Sequence, residues 1–220
     1  MPKKNSDLEQ AAALEMEGRP DHAEALLRKL IAANPRDPAA YHRLALLKAR
    51  SGLFAEAGHF ATTALEADRM FAPAHVVLGR LHLEQGAADA ALNCFARALE
   101  IAPDDADALF AQGTALRRLG RNAEALESYN AALARQPAQP ELLCNHGNVL
   151  QDLGRHAEAL ESFDRALAVS PNTPLLHYNR GNALMSLGRH EEAIRSFDAV
   201  IRIDPRSAEA WNNRGNAELE

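Results

Sequence analysis

The sequence predicts an all-α fold, a right-handed superhelical solenoid of antiparallel helix pairs, on three observations. The first is a 34-residue period without insertion or deletion. Glycines stand at Gly18, Gly52, Gly86, Gly120, Gly154 and Gly188, and each is followed five residues later by Ala23, Ala57, Ala91, Ala125, Ala159 or Ala193. Pro35, Pro103, Pro137, Pro171 and Pro205 close five windows, with Arg69 in that place in the second. A fixed period of this size marks a stacked array. The second observation is helical spacing on both sides of the glycine: Leu109, Phe110, Ala115, Leu116 and Leu119 before Gly120, then Ala125, Leu126, Tyr129, Ala132 and Leu133 after it. The third is composition. With 47% hydrophobic but only 5% aromatic residues, the chain suits a thin continuous seam between neighbouring units better than one thick core.

The elements follow in order. Ser6-Asp7-Leu8-Glu9 has the pattern of a capping box and reads as the start of the first helix. In each window the glycine ends a first helix, because a left-handed residue costs little only for glycine. The residues after it, Arg-Asn-Ala-Glu from Arg121 and Arg-His-Ala-Glu from Arg155, start a second helix with a carboxylate in its first turn. Proline then stops that helix, with Asn34-Pro35, Ser170-Pro171 and Asp204-Pro205 as turn pairs. Pro38, Pro140 and Pro174 open the next helix, where a missing N–H costs nothing. The windows are 4–37, 38–71, 72–105, 106–139, 140–173 and 174–207, followed by a first helix at 208–220, and the whole of 1–220 reads as one array.

Packing is legible in columns. Ala11, Ala45, Gly79, Gly113, Gly147, Gly181 and Gly215 form a small-residue column on the first helices, paired with the alanine column of the second helices for close backbone approach. Leu27, Phe95, Tyr129, Phe163 and Phe197 form a large column, and Ile31, Leu65, Leu99, Leu133, Leu167 and Ile201 another.

Large residue, leucine-like residue, small residue and leucine, followed by Gly, Ala, aromatic, Ala and Pro at these spacings, resemble the tetratricopeptide repeat (TPR) over the whole chain. Windows one and two fit least well, with Asp7 where Tyr41 and Trp211 stand and Ala61 where Phe163 stands. The resemblance implies that first helices line a concave binding face. On their facing columns the early windows carry His42, Arg43, Leu46, Val76, Val77 and Arg80, and the later ones carry the pairs Asn145/Asn148, Asn179/Asn182 and Asn213/Asn216. Each pair is spaced i, i+3 and shares one helix face.

An asparagine amide offers an acceptor and two donors, the complement of a peptide unit. These six asparagines, with Tyr178, Arg43 and Arg80, are therefore the candidate peptide-binding residues, and the expected partner is an extended peptide or unfolded segment. Asn145, Asn179 and Asn213 are expected to face the ligand. The Asn148, Asn182 and Asn216 column either binds with them or bonds the adjacent helix and aligns the repeats.

The runs Cys-Asn-His-Gly-Asn from 144, Tyr-Asn-Arg-Gly-Asn from 178 and Asn-Asn-Arg-Gly-Asn from 212 resemble the repeats of O-linked N-acetylglucosamine transferases and SPINDLY-like bacterial proteins. That resemblance implies a second reading, the substrate-recruiting arm of a longer glycosyltransferase whose catalytic domain lies beyond residue 220. The pattern stops inside a helix pair at Trp211, which supports the expectation of a longer protein and of end-to-end self-association through the Trp211 edge. The resemblance also implies that a chaperone-tail clamp of the lysine type is disfavoured, since no lysine stands in the columns of His42 or Arg43.

Other functions are disfavoured. Net charge is −6, with no basic stripe for nucleic acid. The N-terminus lacks the apolar stretch of a secretory signal, and no segment is long and apolar enough to cross a bilayer, so a cytoplasmic location is expected. Cys94 and Cys144 have no CxxC spacing and read as buried thiols. The nine histidines read as structural or surface residues; His190-Glu191-Glu192 lacks a second histidine at Ile194, and His156 and His190 share a solvent-side place. Without a nucleophile elbow or phosphate-binding glycine loop, neither catalysis, metal nor cofactor is expected. Arg180 and Arg214 replace the leucines of earlier windows, and either pair with carboxylates, pack their stems, or hold an anion.

Overall fold

A computed structural model describes residues 2–220, with side chains from residue 7 onward. Thirteen helices are present among the described residues: α1 (Pro2–Met16), α2 (Pro20–Ala33), α3 (Pro38–Arg50), α4 (Phe54–Ala67), α5 (Ala72–Glu84), α6 (Ala88–Ile101), α7 (Ala106–Arg118), α8 (Asn122–Leu133), α9 (Pro140–Asp152), α10 (His156–Val169), α11 (Pro174–Ser186), α12 (His190–Ile203) and α13 (Ala208–Leu219). The fold is an all-α helical repeat array. The chain divides into two compact units, residues 1–115 and 116–220.

Odd-numbered helices are the first members of pairs. In the N-terminal unit α1 packs on α2, α3 on α4 and α5 on α6, and α2 meets α3 as α4 meets α5. The first helices also touch each other, α1 with α3 and α3 with α5. The C-terminal unit repeats this scheme: α9 packs on α10, α11 on α12, α10 on α11, α12 on α13, and α9 touches α11.

The helix boundaries have local causes. Each window glycine has a φ between 68 and 76°, and the two residues closing the turn bond back into the helix. In the fifth window Gly154 N–H reaches Gln151 O at 2.9 Å and Arg155 N–H reaches Leu150 O at 2.8 Å, satisfying carbonyls that the helix end leaves open. Pro38, Pro140 and Pro174 begin α3, α9 and α11 as expected. The first helix differs. It starts at Pro2, upstream of the Ser6 start signal, whose side chain lies outside the described residues. Asp37 Oδ1 instead caps α3, accepting from Ala39 N–H at 3.2 Å. The turn residues Asn34 and Asp204 accept from the backbone two residues on.

The small column has a more specific partner than the alanine column alone. A Cβ added to Gly79, Gly147 or Gly181 would sit 2.4–2.5 Å from the ring of Phe95, Phe163 or Phe197, the residue sixteen positions on in the paired helix. The column is glycine where the partner is aromatic and alanine where it is Leu27 or Ala61, opposite Ala11 and Ala45. Ala45 and Ala57 also share one buried cluster with Ala61, Val77 and Leu81, so the expected alanine contact is present as well.

Lys48 breaks the apolar pattern. It is buried, with Nζ 2.9 Å from Glu24 and 3.1 Å from Glu56, and so ties α3 to α2 and α4. Hydrogen bonding to Glu24 raises the ammonium's pKa, and Lys48 followed by Arg28 lowers that of Glu24.

Candidate functional site

First helices carry the candidate residues because their i, i+3 positions share one face, and within each unit the first helices touch one another, α3 with α5 and α9 with α11. The six asparagines behave differently from one another. Asn145 donates to Glu141 O of its own helix at 3.0 Å. Asn179 Nδ2 donates to Asn148 Oδ1 at 2.9 Å, and Asn213 Nδ2 to Asn182 Oδ1 at 3.0 Å. The amides therefore link α9 to α11 and α11 to α13. Asn145, Asn148, Asn179, Asn182 and Asn213 are half-buried, whereas Asn216 is exposed.

Two neighbours brace the links. Tyr178 rests edge-on against Phe197, with centroids 6.0 Å apart, and its hydroxyl accepts from Asn213 Nδ2 at 3.2 Å. Cys144 lies at the equivalent place below Asn179, 3.6 Å from its amide nitrogen. Burial pushes the Cys144 thiol up in pKa, which keeps it protonated and a poor nucleophile. Cys94 is half-buried and likewise raised by burial, so only one of the two cysteines is as buried as expected.

Within each linked pair one amide spends its oxygen and the other its nitrogen. Asn182 Nδ2 and the Oδ1 atoms of Asn179 and Asn213 keep bonding capacity, since an amide has two donor hydrogens and an acceptor with two lone pairs. Arg43 stands in the column of Asn145, Asn179 and Asn213, and Arg80 in that of Asn148, Asn182 and Asn216. Arg43 is half-buried and Arg80 exposed. Beside them, His42 meets Phe71 edge-on at 5.6 Å. Its pKa is pushed down to about 4 by burial, then by the charges of Arg43 and Arg80.

Side chains next to these columns form cross-ties between helices. His146 reaches Asn130 Oδ1 at 3.0 Å and Ser162 Oγ at 2.9 Å, sixteen residues to either side. Arg180 bonds Asp164 at 2.6 Å and Ser196 Oγ at 2.7 Å in the same two directions. Arg214 bonds Asp198 and Glu218, each at 2.6 Å. The arginines are thus carboxylate-paired, which decides among the roles open to them. The signal was available in Asn130, Asp164 and Asp198, which change in step with His146, Arg180 and Arg214 as a neutral pair gives way to charged ones. His146 is pushed down to about 4 by burial, then by Arg165 and Arg155.

The remaining histidines are structural in part. His177 and Trp211 bond the carbonyls of Pro171 and Pro205 at 2.8 and 3.2 Å. His156 and His190 are half-buried, each with Nδ1 shielded and unpartnered, which corrects the solvent-side expectation. Where Arg69 replaces the window proline, the N-terminal unit has an open cleft of about 600 Å3 lined by Leu65, Arg69, Met70, His75, Arg97 and Ile101. Among the described residues no group of three or more His, Cys, Asp or Glu is placed to hold a metal, and no helix is long and apolar enough to cross a membrane.

The tetratricopeptide-repeat profile matches residues 76–140, 144–208 and 178–220, and a second profile of the same description matches 5–47. Among solved structures the chain is similar to YrrB, described as a TPR protein with an unusual peptide-binding site, at 25% identity and a TM-score of 0.70 over 86% of this chain and 97% of that one. It is similar in fold to Pseudomonas aeruginosa pilF, at 16% identity and a TM-score of 0.84 over 96% of both chains. It is also similar in fold to MamA, at 24% identity and a TM-score of 0.65 over 78% of this chain and all of that one. No curated protein matches the chain significantly.

Proposed function

We propose, from the premise that this chain belongs to the tetratricopeptide-repeat family, that it is an interaction scaffold which binds an extended polypeptide segment along the first-helix face of its C-terminal unit. The observation that carries this reading is the pair of linked amides, Asn148–Asn179 and Asn182–Asn213. Each link fixes an asparagine in position while leaving an unspent acceptor or donor, so little side-chain entropy remains to be lost on binding. Backbone recognition of this kind accepts many sequences. The similarity to YrrB, a peptide-binding TPR protein by its description, supports the same reading. The glycosyltransferase reading has no counterpart among the structures named above.

Fluorescence anisotropy with labelled extended peptides tests the proposal on the triple variant Asn145→Ala, Asn179→Ala and Asn213→Ala. Three rungs at about 1 kcal/mol each give a loss of roughly a hundredfold. Since two of the substitutions also cut helix-to-helix links, a second arm leaves the protein intact and methylates alternate backbone nitrogens of the peptide. That change should weaken binding about as much. Affinities that stay within about twofold in both arms would show that the amides do not hold the ligand.

A further inference from the structure

The N-terminal unit presents different chemistry on the same two columns, and resting on the peptide-binding reading we propose that its first-helix face holds an acidic peptide segment through Arg43 and Arg80. Three observations carry this. Both arginines stand at rung positions, on adjacent first helices that touch each other, α3 and α5. Four other arginines of this unit are engaged with carboxylates, Arg19 with Glu17 at 3.3 Å, Arg28 with Glu24 at 2.8 Å, Arg50 with Glu15 at 2.6 Å and Arg97 with Glu100 at 2.7 Å, while Arg36 and Arg69 lie in turns off the rung columns. The structure gives neither Arg43 nor Arg80 a carboxylate partner within its described residues. Val76 and Val77, nearly fully buried, stand one turn before Arg80 and put no further charge beside it.

Spacing selects the ligand. Neighbouring helices lie roughly 8–10 Å apart, and an extended strand brings side chains two residues apart onto one side at about 7 Å. Two acidic side chains in an Asp-x-Asp arrangement reach both guanidiniums within the length of an arginine side chain, and each contact is a charge-assisted hydrogen bond. His42, held neutral near pH 7 by its low pKa, lies against this pair without adding a third charge. The Asp-x-Asp segment is therefore the specific occupant.

Three labelled, N-acetylated octapeptides test this by anisotropy at low ionic strength, where exposed charges are least screened. One is alanine-based with an Asp-x-Asp core and an amidated C-terminus, the second has Asn-x-Asn in its place, and the third is the neutral peptide with a free C-terminus. The Asp peptide should bind about tenfold tighter than the Asn peptide. The double variant Arg43→Gln and Arg80→Gln should remove that preference and leave the Asn peptide within about twofold of its original affinity. The triple asparagine variant should weaken the Asn peptide while preserving the acidic preference.

Equal binding of the Asp and Asn peptides overturns the inference, and so does a preference that survives the double variant or moves to the free C-terminus. Arginine-dependent binding of the Asp peptide without binding of the Asn peptide would sustain this inference and remove the amide-rung reading. Absence of binding by all three removes both.

Discussion

Replacing Gly147 with alanine should destabilise the C-terminal unit although alanine is the better helix former. The added Cβ would lie 2.5 Å from Phe163 Cε1, 2.7 Å from Cζ and 3.0 Å from Cδ1. Phe163 is fully buried, so its ring has no free volume to retreat into. Overpacking of this kind costs about 2–3 kcal/mol, offset by about 1 kcal/mol of helix propensity, leaving a net loss of about 1–2 kcal/mol. The ring is the stated cause, so Phe163→Leu should relieve the clash, as Leu27 does opposite Ala11. A double-mutant cycle by urea unfolding should give a coupling of about 1–2 kcal/mol between the two sites. Gly154→Ala is the control. Its Cβ meets nothing within 4 Å, but its φ is +72°, so it should cost about 1–2 kcal/mol through backbone strain alone and show no coupling to Phe163→Leu. The reasoning fails if Gly147→Ala is as stable as the parent, or if Phe163→Leu relieves both glycine variants equally.

Lys48→Ala should cost about 2 kcal/mol by thermal or urea unfolding, because it removes both the aliphatic stem and the partner of two carboxylates. Lys48→Leu should cost less than about 1 kcal/mol: leucine occupies this place at Leu116, Leu150 and Leu184, Glu24 retains Arg28, and Glu56 turns to solvent. Equal losses for the two variants would put the stability in the ion pairs and not in the stem. His42 and His146 predict a pH effect. Both have folded pKa values near 4, below the unfolded value near 6.5, so the unfolded chain takes up their protons first as pH falls. Their contribution is fully present above about pH 6.5 and is lost progressively as pH falls from there through about 4, by about 1–2 kcal/mol each after allowing for partial exposure. Urea midpoints measured across that range, compared with those of a His42→Gln and His146→Gln variant, check the sign; a slope unchanged by the double substitution would show that the carboxylates alone set it.

Periodicity made the fold legible because the period is a property of backbone geometry. Gly154 at positive φ and Pro140 at a helix start follow from the local chain alone. Partner choice was less legible, since it depends on contacts between residues far apart in sequence. Gly147 was readable as a small residue, but its opposition to Phe163 emerges only when the two columns are offset by sixteen and their sizes compared. The site shows the same division. The asparagine columns stand out by repetition, whereas the link from Asn179 to Asn148 joins the second member of one pair to the first member of the next, a diagonal that period-34 alignment does not draw. The His146 cross-tie was missed for the same reason, and carboxylate pairing of Arg180 and Arg214 was one of several roles left open, with Asp164 and Asp198 not identified as the partners.

Two kinds of matching constrain how such a chain can be rearranged by duplication or exchange of segments. Glycine and phenylalanine are matched inside a helix pair, so a pair can be copied whole, while transplanting one helix opposes alanine to phenylalanine or glycine to leucine. The cross-ties are matched across pair boundaries as well: a segment beginning at Arg180 requires Asp164 before it, and one beginning at His146 requires Asn130. A duplication that joins His146 to Asp164 sets a carboxylate against the imidazole and favours its protonated form. The modular unit of this protein is therefore the helix pair together with the last helix of the pair before it, and permissible breakpoints are fewer than the uniform period suggests.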